Sequence, residues 1–95
     1  MSRKSSSKST EVRFPQPAHL MVLERRDRRR SNSYSDAARV LVQEKLQAGY
    51  VDRGLVPDGM RRVRVQLPMS ELAKVAELAR ENECTPEYII IQCCG

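Results

Sequence analysis

RRVRVQLP, residues 61–68, alternates basic or polar side chains with apolar ones and stops at a proline. A strand repeats every two residues, so Val63, Val65 and Leu67 fall on one face and Arg62, Arg64 and Gln66 on the other. Pro68 ends the segment, because proline cannot donate to a ladder. The stretch is predicted to be a short strand with one face to bury and one arginine-lined face to present.

What buries the apolar face follows in the chain. In MSELAKVAELARENE, residues 69–83, Leu72, Val75, Ala76 and Ala79 recur at i, i+3, i+4 and i+7, with Leu78 widening the stripe. That spacing predicts an amphipathic helix, with Lys74, Glu77, Arg80 and Glu81 outside the stripe. CTPEYIIIQCCG then opens with Thr85 as a helix N-cap, Pro86 at the first helical position and Glu87 near the positive end of the dipole. Against this, Ile89, Ile90 and Ile91 are β-branched and score as strand on propensity alone. The reading is a helix, buried on several sides because one so short cannot stand alone.

The N-terminal half repeats the plan in divergent form. In STEVRFP, Thr10, Val12 and Phe14 share one face and Glu11 and Arg13 the other, ahead of Pro15. PAHLMVLERRDRRR supplies a short apolar stripe from Leu20, Met21, Val22 and Leu23 before a charged end. In SNSYSDAARVLVQEKLQAGY, Ser33 caps a helix with Asp36 at N3 as a capping box, and Ala37, Ala38, Leu41, Val42, Lys45 and Leu46 give its inner face. Aligning Val12 to Pro15 on Val65 to Pro68 gives an offset of 53, and aligning Ser33 on Thr85 gives 52.

The predicted organisation is a disordered basic arm at 1–9, a first unit at 10–48, a linker at 49–60 and a second unit at 61–95. The linker brings together Gly49, Gly54, Gly59 and Pro57, with Gly49 where a helix needs a left-handed C-terminal residue. The fold class is mainly α with a short antiparallel two-stranded β ribbon. A chain of 95 residues buries a modest core unless a partner helps to enclose it.

Charge is uneven. Residues 1–30 carry nine Lys/Arg against three Asp/Glu, and the net charge of +5 therefore sits in the N-terminal third, pointing to a polyanionic partner. Arg3, Lys4 and Lys8 read equally as a tracking arm or a solubility tail, and RRDRRR at 25–30 as a solvated helix end or a phosphate contact. There is no apolar run of signal-peptide or membrane-spanning length, so a cytoplasmic protein is expected, with no membrane partner. Cys84, Cys93 and Cys94 lack CxxC spacing and read as reduced thiols, with His19 the only histidine, so neither metal nor cofactor is expected. With no nucleophile and base arrangement and no Gly-rich phosphate loop, the chain reads as a non-enzyme.

Residues 62–92, with the strand ending at Leu67-Pro68, the first helix ending near Arg80-Glu81 and the Thr85 cap, resemble the ribbon-helix-helix family, the fold of the Arc and MetJ type repressors. The resemblance implies two interlocked units whose strands pair into a ribbon, with the polar face entering the DNA major groove. It makes Arg62, Arg64, Gln66, Glu11 and Arg13 the base-contacting residues and places Thr85 and Ser33 at helix N-termini that hold phosphates. Where many members have glycine between the helices this chain has Glu83, leaving Asn82 as the residue most tolerant of a left-handed conformation, and Pro86 removes one donor.

Some conjugation accessory proteins that assist a plasmid relaxase carry two such units in one chain. If this chain is similar, its own strands pair as an intrachain pseudo-dimer, with Glu11 and Arg13 facing one half-site and Arg62, Arg64 and Gln66 the other. The competing arrangement is a homodimer paired through like strands. The function expected is sequence-specific binding of double-stranded DNA, as a transcriptional repressor or a plasmid-transfer (relaxosome) accessory factor with a relaxase or other protein partner. The alternative is a protein-interaction module, an antitoxin or adaptor gripping its partner through the Tyr/Ile/Cys end. Antitoxins of this fold append a tail after the second helix, and this sequence stops at Gly95, which favours the DNA reading.

Overall fold

The computed structural model describes residues 7–29, 33–59 and 61–94, and is mainly helical with one two-stranded antiparallel sheet. Strand β1 (Ser7–Phe14) is followed by α1 (Gln16–Arg29) and α2 (Tyr34–Ala48), and β2 (Arg61–Pro68) by α3 (Met69–Glu81) and α4 (Pro86–Cys93). Among the described residues no helix is long and apolar enough to cross a membrane.

The two strands pair with each other over their full length, from Ser7 opposite Pro68 to Phe14 opposite Arg61. Val12, Phe14, Val65 and Leu67 are fully buried on the inner face, as the alternation requires. Beneath them each second helix crosses to the other half: α4 packs on β1, α2 packs on β2, and α2 meets α4 between them. Ala37, Ala38, Leu41 and Val42 of α2 and Ile89, Ile90 and Ile91 of α4 fill this interior.

That crossing explains why α4 is a helix despite its three isoleucines. Each β-branched residue costs about 0.5 kcal/mol in helix propensity, whereas fully burying its side chain returns roughly 1.5–3 kcal/mol. All three have no exposed surface, and Thr85 caps the first turn by accepting from the Tyr88 N–H at 3.2 Å. The outer helices are less enclosed. On α3 only Val75 and Ala79 are buried and Ala76 of the predicted stripe is exposed; on α1 Ala18 and Val22 are buried, while Leu20 and Met21 face outward.

The segment between α2 and β2 is tied down. Gly49 leaves α2 at φ 116°, a conformation that favours glycine, with its N–H on the Lys45 carbonyl at 2.8 Å. Gln92, the one buried polar side chain of α4, accepts from Arg53 N at 2.9 Å and Leu55 N at 3.0 Å and donates to the Leu55 carbonyl. The amide thus acts as a ladder partner for an extended strap. Tyr88 adds a bond from its hydroxyl to Asp52 at 3.0 Å.

Two expectations are corrected. β1 begins at Ser7 rather than Thr10, so Ser7, Lys8 and Ser9 belong to the strand and not to an arm; β2 supplies partners as far as Pro68, and pairing extends the strand past its own apolar pattern. The left-handed residue between α3 and α4 is Glu83, at φ 54°, and Asn82 stays at φ −98°. Cys84 N bonds the Ala79 carbonyl at 2.9 Å and Glu83 N the Arg80 carbonyl at 3.3 Å, the two bonds of a Schellman motif. In that motif the left-handed position falls one residue beyond Asn82, whose side chain instead caps the Leu78 carbonyl at 2.8 Å. Glu83→Gly is accordingly expected to stabilise the fold by about 0.5–1 kcal/mol, a rise of a few degrees in Tm. Thermal unfolding followed by circular dichroism checks this, and an unchanged or lower Tm would contradict it.

Candidate functional site

The outer face of the ribbon collects the polar residues of both strands into three cross-strand pairs: Ser9 with Gln66, Glu11 with Arg64, and Arg13 with Arg62. All six are exposed. The five residues that the sequence singled out as base-contacting are therefore brought together on one surface. Their arrangement differs from a division by strand: Arg13 and Arg62 stand side by side at one end, Glu11 and Arg64 at the centre, and Gln66 beside Ser9 at the other end. An antiparallel register places residues from both strands at each end.

The arginines are not equivalent. Among the described residues the Arg62 and Arg64 guanidinium groups have no hydrogen bond or ion pair, although the Arg64 carbonyl accepts from the Ser35 hydroxyl. Arg13 is held by Glu87 at the start of α4. The carboxylate accepts from Arg13 N at 2.8 Å and Nε at 3.0 Å through Oε2, and from Nη2 at 2.9 Å through Oε1. A base-contacting role for Arg13 thus meets an internal carboxylate that already engages both its backbone and its guanidinium. This hydrogen bonding raises the Arg13 pKa and lowers that of Glu87, whose partial burial opposes the shift.

Arg61 adds a further cation at the Arg13/Arg62 end. Its guanidinium carbon lies 4.9 Å from the centroid of the Tyr34 ring, which meets Phe14 edge-on at a centroid distance of 5.4 Å. Burial pushes the Tyr34 phenol up to about 12 against the opposing pull of Arg61, so the ring stays neutral, with its hydroxyl 3.0 Å from His19 Nδ1.

Ser33 and Thr85 are both N-caps, and their side-chain oxygens accept from Asp36 N at 2.9 Å and Tyr88 N at 3.2 Å. The α4 terminus has one donor fewer, since Pro86 offers no N–H, and each first turn carries a carboxylate, Asp36 in α2 and Glu87 in α4. Arg3 and Lys4 lie outside the described residues, and the backbone of Lys8 pairs opposite Leu67 in β1. Of the RRDRRR run, Arg25 is paired with Glu44 at 2.6 Å, Arg28 with Glu24 at 3.6 Å and Arg26 with Asp27 at 4.0 Å, so these three arginines each have a carboxylate partner, while the Arg29 side chain and Arg30 lie outside the described residues.

Sequence reasoning missed Ser9, Arg61 and Glu87. The strand alternation contains Ser9 once β1 is allowed to run as long as β2. Arg61 sits by parity on the inner face at a strand end, where only the position of Tyr34 reveals its contact. The Glu87 contact with Arg13 joins residues 74 apart and has no local signal. The three cysteines are free thiols, with Cys93 and Cys94 buried and their thiol pKa values raised by that burial.

Because the Glu87 carboxyl is held below its ordinary value near 4.5, its contribution to stability is fully present above that value and is lost as pH falls through the depressed one. Moving from about pH 6 to about pH 3 should lower the urea midpoint of the wild type more than that of Glu87→Gln. Midpoints that fall in parallel would show that the contact contributes nothing. Compared with known proteins, the chain matches no family model, no curated protein and no solved structure.

Proposed function

We propose that the chain is a ribbon-helix-helix protein with two units in one polypeptide, binding double-stranded DNA by laying the outer face of its β ribbon in the major groove. The observation that carries this reading is the pair Arg62 and Arg64: exposed, without an internal partner among the described residues, on a ribbon whose opposite face is sealed in the core. Two strands about 4.8 Å apart enter a groove roughly 12 Å wide. An Arg side chain bridges guanine O6 and N7, and Gln bridges adenine N6 and N7. The Arg62 end of the ribbon then favours guanine and the Ser9/Gln66 end adenine, with Arg64 between them. Glu11 can accept from a cytosine amino group.

Affinity in this reading rests on phosphates. The first-turn N–H groups at Ser33 and Thr85 and the cations Arg3, Lys4 and Lys8 are its proposed sources, and each neutralised phosphate adds about 0.9 to the salt slope. Arg13 takes the role of a positioning residue, fixing the α4 terminus to the ribbon through Glu87. The activity is that of a transcriptional repressor or a plasmid-transfer accessory factor with a protein partner such as a relaxase. The antitoxin or adaptor alternative depended on an accessible Tyr/Ile/Cys end. Ile89, Ile90, Ile91, Cys93 and Cys94 are buried and Tyr88 is bonded to Asp52, which supports the DNA reading over that alternative.

Selection from random duplexes followed by gel shift tests the proposal. Arg64→Ala is expected to keep the fold and lower discrimination between the selected and unrelated sequences by about 1–3 kcal/mol, whereas Thr85→Ala weakens binding to all sequences alike. An unchanged sequence preference in Arg64→Ala rejects the groove-reading assignment.

A further inference from the structure

The offset between the halves and the register of the ribbon together locate an internal two-fold axis. The axis carries each β1 position to the β2 position 53 residues later, so the pairs Val12/Val63 and Thr10/Val65 exchange with one another. Glu11 and Arg64 differ by 53 and face each other directly, which puts this pair on the axis itself. On such an axis, two identical strands would set a residue against its own copy. Pairing of two chains through like strands would therefore place Glu11 against Glu11 and Arg64 against Arg64, and like charges directly opposite are destabilising.

A second contact makes the same distinction. Arg13 and Glu87 belong to opposite halves, and their counterparts under the axis are Gln66 and Ser35, neither of them charged. In a like pairing, the Arg13 guanidinium would meet a serine and Glu87 a glutamine. A carboxylate whose side chain is only 16% exposed would then lose its cation. The inner face discriminates little, because Thr10, Val12 and Phe14 of β1 stand where β2 has Val63, Val65 and Leu67. Charge separates the two arrangements.

We infer that the surface joining the two halves is charge-coded for the unlike half and rejects pairing through the like strands of a second copy; with both halves on one chain, the molecule closes as a one-chain pseudo-dimer. The code consists of the bonded pair Arg13 and Glu87 and of Glu11 opposite Arg64 on the axis, which form no ion pair among the described residues but would each face a like charge in a like pairing. This inference concerns the scaffold beneath the proposed DNA surface, and its test uses no DNA, so either can fail without the other.

Light scattering over a concentration series, with thermal unfolding of a charge-swap cycle, tests it on the full chain. The wild type should keep the mass of one chain, 10.9 kDa, at every concentration. Glu11→Arg and Arg64→Glu should each lower Tm by roughly 3–6 °C, and the double swap should recover most of the loss, because only the unlike pairing regains opposite charges. Should a reversal prevent folding, the milder cycle of Glu11→Gln and Arg64→Gln serves, with the double variant expected to lose less than the sum of the singles. A two-chain mass for the wild type, or strictly additive losses in the cycle, would overturn the inference.

Discussion

The antiparallel pairing of β1 with β2 is the constraint on which everything else rests. A two-stranded ribbon is marginal in water by itself, and α4, with eight residues, is too short to persist alone. Each needs the other. The ribbon contributes Val12, Phe14, Val65 and Leu67 to a floor, and α2 and α4 close over it from opposite halves, so neither half can complete its core without the partner. The strap held by Gln92 makes the connection compatible with that crossing, since it returns the chain from the end of α2 to the start of β2 along the surface of α4.

Sealing one face of the ribbon is also what leaves the other available. The unpaired edges of a two-stranded sheet invite pairing with foreign chains. Here Glu87 and the Asp58 amide engage the backbone of Arg13 on one edge, and the Ser35 hydroxyl engages Arg64 on the other. Some of the backbone that could template aggregation is thus engaged inside the molecule, while the side chains of Arg62 and Arg64 still point outward. Structural protection and the proposed recognition surface use different parts of the same residues.

Most of the elements were legible in the sequence because they rest on local periodicity: the alternation in RRVRVQLP, the helical stripe ending at Ala79, and the caps Ser33 and Thr85. The six-residue face was legible apart from Ser9, which pairing rather than pattern brings into the strand. What escaped was set by tertiary geometry. The Schellman turn chose Glu83 over Asn82 by hydrogen-bond position, against intrinsic preference. The pairing of Arg13 with Glu87, and of Arg25 with Glu44, depends on which elements pack together, so arginines that look alike in the chain, such as Arg25 and Arg62, end in different electrostatic states.

The distribution of differences between the halves has a physical logic. On the inner face the positions related by the axis stay small or apolar: Val12 with Val65, Phe14 with Leu67, Thr10 with Val63. A shared core imposes nearly the same volume on both strands, since close-packed interiors tolerate little change in shape. On the outer face all three related pairs differ in charge: Ser9 with Arg62, Glu11 with Arg64, Arg13 with Gln66. A ribbon made by two identical chains would have to carry each groove-facing residue twice, in mirrored order about its axis. One chain carrying both strands escapes that requirement, and under the proposed function a face with chemically distinct ends would distinguish the two orientations of a duplex.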